Sequence, residues 1–137
     1  MRLSETGELL ALISAYDNRN FNKETTAAWY DLLGPYTLAE AKHAVKKHYN
    51  ESTDWLMPAH VVRIIKAERK ARLAKVGTIV SGRADMTDTA TELATTKALT
   101  KAVASGALTP EQYEDYQRGE TPWADYRRGL LALRGAA

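Results

Sequence analysis

From Trp55 the chain reads W-L-M-P-A-H-V-V-R-I-I-K-A-E-R-K-A-R-L-A-K, and few folds can accommodate that run. Proline near a first helical turn costs nothing, because the first amides of a helix have no intrahelical acceptor. At about 100° per residue, Val61, Ile64 and Ile65 form an apolar face, while Arg63, Lys66 and Lys70 gather on the opposite side. Past Ala67 the order fails, since Glu68 and Arg72 continue the line of Val61 and Ile65. Burying those charges unpaired would cost several kcal/mol. The expected outcome is one helix to about Lys75 that lies on a bundle by its first turns and protrudes by its basic end. Between Val61 and Val76, six cations (Arg63, Lys66, Arg69, Lys70, Arg72 and Lys75) accompany a single acid, Glu68.

The segments before it read as three further helices. Ser4 is an expected N-cap for a helix over about residues 5–16, with Leu9, Leu10, Ile13 and Tyr16 at helical spacing. Asp17-Asn18-Arg19-Asn20 is a polar turn, and Asn22 caps a second helix carrying Trp29, Leu32 and Leu33. Gly34-Pro35 stops that helix, with glycine expected to supply a left-handed residue and proline blocking continuation. Thr37-Leu38-Ala39-Glu40 is a capping box, after which Leu38, Ala41, Val45 and Tyr49 share one face.

Residues 77–91 are rich in Gly, Ser and Thr and read as a linker. An Ala- and Thr-rich helix with Leu93, Leu99, Ala102 and Val103 follows, ending at Gly106. Thr109-Pro110 opens a short helix with Tyr113 and Tyr116, and Thr121-Pro122 opens a last one with Trp123, Tyr126, Leu130 and Leu131. No run alternates with period two for long enough to be a strand. The expected fold is all-α: a small four-helix bundle over 1–76 with a protruding basic helix, a linker over 77–91 and a small helical C-terminal region over 92–137.

At 137 residues the chain fits one domain, or a small domain with an appendage. Its net charge is only +2, yet residues 1–76 hold 12 Lys/Arg against 9 Asp/Glu and residues 77–137 hold 7 against 8. The excess is therefore local to the basic helix. There is no cysteine, so disulfides and thiolate metal sites are excluded. No signal-peptide pattern and no apolar run of membrane-spanning length stands in the sequence, so no membrane partner is expected and the expected location is cytoplasmic.

No catalytic constellation stands out. His43 and His48 lie five apart on one helix, about 140° around its axis, and cannot chelate one ion together. Glu111, Glu114 and Asp115 read as a solvated acidic face, and no phosphate-binding loop is present. No metal and no cofactor is expected, and no enzyme. The basic helix has two readings. Cations a turn apart can follow a nucleic-acid backbone, with Lys42, Lys46 and Lys47 extending the surface. Alternatively they are a solvated helix end that complements the helix dipole. Trp29, Tyr30, Tyr36, Tyr49 and Trp55 read as core and staple residues before a base-stacking platform. Trp123, Tyr126 and Leu130 either pack back on the fold or dock in a partner's groove.

The pattern T-A-A-W-Y-D-L-L over 26–33, the capped helix ending K-K-H-Y over 46–49, and W-L-M-P-A-H-V-V-R-I-I-K-A-E-R over 55–69 resemble the N-terminal domain of phage replicative-helicase loader/inhibitor proteins, of the type found in phages of actinobacteria. The resemblance covers about residues 5–75. It implies a helical N-terminal domain and a looser C-terminal region in a non-enzymatic replication accessory of a bacterial host cell. Its implied partners are the replicative hexameric helicase and an origin-bound initiator. In that role the basic residues Arg63, Lys66, Arg69, Lys70 and Arg72 are expected to touch DNA backbone or an acidic partner surface. Two other functions fit the same residues: a direct DNA-binding module of a replication or regulatory factor, and a self-associating or host-directed interaction protein.

Overall fold

The computed structural model describes residues 1–79, 89–119 and 121–136, with the side chains of 134–136 excepted. These residues form seven helices: α1 (Leu3–Asp17), α2 (Lys23–Leu33), α3 (Leu38–Glu51), α4 (Pro58–Val76), α5 (Thr89–Ser105), α6 (Pro110–Arg118) and α7 (Trp123–Ala136). The fold is all-α. It divides into two compact units, Met1–Glu68 and Arg69–Ala137, and the division falls within α4.

The first unit is a four-helix bundle. Its core is built from Leu9, Leu10 and Ile13 of α1, Trp29 and Leu33 of α2, and Ala41, Ala44 and Val45 of α3. Leu56, Val61 and Ile65 complete it. Each fully buried Leu or Ile contributes about 1.5–3 kcal/mol. Chain entry into these helices is set by local caps. The Asn22 side chain accepts the Thr25 amide at 2.7 Å. Thr37 Oγ1 accepts the Glu40 amide at 3.2 Å, and Glu40 Oε2 accepts the Thr37 amide at 3.2 Å. Both orphan donors of that turn are thereby satisfied.

Two end signals act differently from their expectation. Ser4 lies inside α1 rather than capping it, and the Glu5 carboxylate instead accepts the Arg2 amide at 2.8 Å. Gly34 is right-handed, with φ −49° and ψ −40°. Its lack of a side chain serves close packing, because a Cβ there would lie 3.1 Å from the Tyr30 carbonyl oxygen. The left-handed residue is Asn18, at φ 56°, which closes α1 and donates its amide to the Ser14 carbonyl. Asn tolerates that conformation better than other non-glycine residues.

The second unit has its own core of Leu99, Val103, Leu108, Tyr113 and Tyr116. Thr109 Oγ1 accepts the Gln112 amide at 3.1 Å and starts α6, while Gly106, at φ +80°, ends α5. The basic end of α4, expected to run free, carries Leu73 and Val76 against this core. These two apolar residues stand three apart on one helix face, which gives the charged turns a buried side of their own. Of the expected linker, residues 80–88 lie outside the described residues, and Thr89, Ala90 and Thr91 already belong to the first turn of α5.

Candidate functional site

The start of α4 is fixed by a side-chain brace from the turn after α1. Arg19 donates through Nε to Asp17 Oδ2 at 2.7 Å and through Nη1 to the Leu56 carbonyl at 2.7 Å. Its guanidinium lies over the Trp55 ring, 3.7 Å from the centroid. Tyr49 of α3 donates its hydroxyl to the same Asp17 Oδ2 at 2.7 Å. The ion pair is well covered, with side-chain exposures of 10% for Arg19 and 16% for Asp17. Burial pushes the Asp17 carboxyl up, but hydrogen bonds from Arg19 and Tyr49 outweigh it and hold the group below its ordinary value. The Tyr49 phenol is pushed up to about 12, by burial first and then by its bond to Asp17. Trp55 itself stays 60% exposed, covered on one face by the arginine.

The braced helix forms one wall of an open groove. The groove is lined by Leu32 of α2 and by Pro58, Ala59, Val62, Arg63 and Lys66 of α4, with a volume of about 420 Å³. The geometry follows from the helix period. Trp29 and Leu33, four apart on α2, both face the core, so Leu32 is turned about 100° away and is 57% exposed. On α4, Val61 and Ile65 take the core, which leaves Ala59 and Val62 toward the groove and Arg63 and Lys66 at its rim. Among the described residues no acidic side chain lines it.

The nine cations expected to form a basic surface fall into different environments. Arg63 and Lys66 are exposed and have no ion pair among the described residues, and Lys46 is also exposed. Lys42 is paired with Glu8 at 2.6 Å. Lys47 is paired with Glu68 at 2.8 Å, with His43 Nε2 3.7 Å from the same carboxylate. The Lys47 bond holds Glu68 below its ordinary value and raises the lysine in return. Arg69 and Arg72 are half-buried, and Arg72 Nε donates to the Ala104 carbonyl near the end of α5 at 2.8 Å. Lys70 and Lys75 are exposed in the second unit.

Trp123, Tyr126 and Leu130 are partly buried against the second core. The Tyr126 hydroxyl donates to the Gln112 carbonyl at 3.0 Å and lies 3.1 Å from Asp115 Oδ2. Burial and that carboxylate together raise its phenol above the ordinary value. The exposed leucines of α7 are Leu131 and Leu133.

The chain matches no family model, no curated protein and no solved structure.

Among the described residues no group of three or more His, Asp or Glu is placed to hold a metal ion, and no helix is long and apolar enough to cross a membrane. His48 and His60 do face each other, with ring centroids 4.9 Å apart. Both rings serve the loop before α4: His48 Nε2 bonds the Asp54 carbonyl, and His60 Nδ1 accepts the Met57 amide. Sequence reasoning assigned the cations of α4 to a site but missed its apolar part, Leu32, Pro58, Ala59 and Val62. Its signal was Leu32 itself: with Trp29 and Leu33 four apart on the core face of α2, Leu32 falls about 100° off that face.

Proposed function

We propose that the protein is a non-enzymatic adaptor of a phage or prophage replication system that binds the replicative hexameric helicase and loads or restrains it. The observation that carries this reading is the α2–α4 groove, an apolar surface whose rim cations Arg63 and Lys66 have no ion pair among the described residues. Such a surface recognises protein. The resemblance of residues 5–75 to helicase loader/inhibitor proteins names the class of protein, and an origin-bound initiator is the second partner that class implies.

Direct nucleic-acid binding draws less support. Of the nine cations expected to follow phosphates, Lys42 and Lys47 are committed to carboxylates and Arg72 to a backbone carbonyl, which shortens the row to the exposed ones of α4. The reading is tested by mixing the purified chain with the purified host helicase and measuring the mass of the complex by light scattering. A stable complex carrying the helicase hexamer is expected. Recovery from host lysate of nucleic acid alone, removable by nuclease and salt, would replace the adaptor with a DNA-binding module.

A further inference from the structure

We infer that the α2–α4 groove receives an acidic amphipathic helix of a partner protein, its apolar stripe lying between Leu32 and Val62 and its carboxylates meeting Arg63 and Lys66. This deepens the adaptor reading and rests on it only in that the helix belongs to another protein.

Three features select that occupant. The floor is apolar: Leu32, Pro58, Ala59 and Val62 line one groove together, and the apolar face of a helix can lie in such a groove. The rim is positive and uncompensated, since Arg63 and Lys66 have no ion pair among the described residues and no carboxylate lines the groove. In the same unit Lys42 and Lys47 are neutralised by Glu8 and Glu68. Opposite charge supplied by a partner sets orientation and encounter rate. Finally, both walls are helices. Neither offers the unpaired strand edge that an extended peptide needs for main-chain hydrogen bonds, whereas an incoming helix brings its own backbone bonds already made.

Pro58 to Lys66 spans about 12 Å of helix axis at 1.5 Å per residue, or about two turns. The occupant therefore presents apolar anchors at i, i+3 or i+4, and i+7, with Glu or Asp beside them. Duplex DNA meets the two cations but leaves its phosphates over an apolar floor. A second copy docked groove to groove meets like charge with like.

The test uses the full chain and fluorescein-labelled synthetic amphipathic helices with a leucine stripe, flanked by glutamate in one peptide and lysine in the other. Fluorescence anisotropy is expected to show the glutamate peptide binding about tenfold more tightly or better, the discrimination worth about 1.4 kcal/mol. Leu32→Asp abolishes binding of both peptides, and the double variant Arg63→Glu/Lys66→Glu inverts the preference. All three side chains are exposed, so circular dichroism should confirm that the variants stay helical.

Equal binding of the two peptides, or unchanged binding by Leu32→Asp, overturns the proposal. So does a dimer of the chain that Leu32→Asp dissolves, or a duplex oligonucleotide that displaces the glutamate peptide. A chain that binds this peptide and not the purified helicase sinks the helicase reading and leaves the groove standing. A Leu32→Asp chain that still binds the helicase like the wild type sinks the groove alone.

Discussion

Arg19→Ala should be among the most damaging single changes in the first unit, although position 19 lies in a turn. The side chain makes three separate interactions. The charge-assisted bond to the Leu56 carbonyl is worth about 1.5–3 kcal/mol. The stack on Trp55 adds about 0.5–1 kcal/mol at a partly exposed ring. Removal also leaves Asp17 with Tyr49 as its remaining side-chain partner in a largely covered site, and an unmatched buried charge is costly. These effects overlap, so the expected loss is about 3 kcal/mol rather than their full sum. With a urea m-value of about 1.5 kcal/mol/M, the unfolding midpoint of the first unit should fall by about 2 M. Arg19→Lys keeps the charge but not the planar fork and should recover less than half of the loss. Urea unfolding followed by tryptophan fluorescence reads both variants, because Trp55 lies directly under the guanidinium. A loss below about 0.5 kcal/mol for Arg19→Ala, the range of an ordinary surface substitution, would refute the view that this side chain holds the entrance to α4.

Three further outcomes are expected. The Tyr49 phenol titrates at about 12 in the fold, above its ordinary value of 10.0. Its stabilisation is therefore complete below about pH 10 and is lost as pH rises toward 12; urea midpoints across that window should fall for the wild type and show a smaller slope for Tyr49→Phe. Thr37→Ala removes the acceptor for the Glu40 amide and should cost about 1 kcal/mol, read as a lower melting temperature. Leu99→Ala empties a fully buried position and should cost about 2–5 kcal/mol, seen by hydrogen exchange as faster opening of amides in α5 and α6; unchanged protection there would contradict the second core.

What could be read from the sequence was what is decided locally. Asn22, Thr37 with Glu40, and Thr109 sit three residues from the amides they cap, so their roles stand in the residue order itself. The helical faces of Leu9, Leu10, Ile13, Val61 and Ile65 were visible for the same reason. Arg19 read only as a polar turn residue, because its acceptor at Leu56 lies 37 positions away. Glu68 read as a charge past the end of an apolar face; its partner Lys47 stands 21 positions back on another helix. The distal turns of α4 misled more seriously. Their four cations hid the Leu73–Val76 pair, and the core that receives it is supplied by α5 and α6. Gly34 and Ser4 matched general stop and start preferences, but Gly34 stays right-handed, close to the Tyr30 carbonyl one turn back, and the Glu5 carboxylate takes the role expected of Ser4.

The Arg72 guanidinium, bonded to the Ala104 carbonyl, serves as a plug for the unsatisfied end of α5. A polyanion approaching the chain would therefore find fewer mobile cations than the residue inventory advertises. Counterion release scales with the charges actually surrendered to phosphate, so any residual attraction to nucleic acid should fade only gently as electrolyte is added.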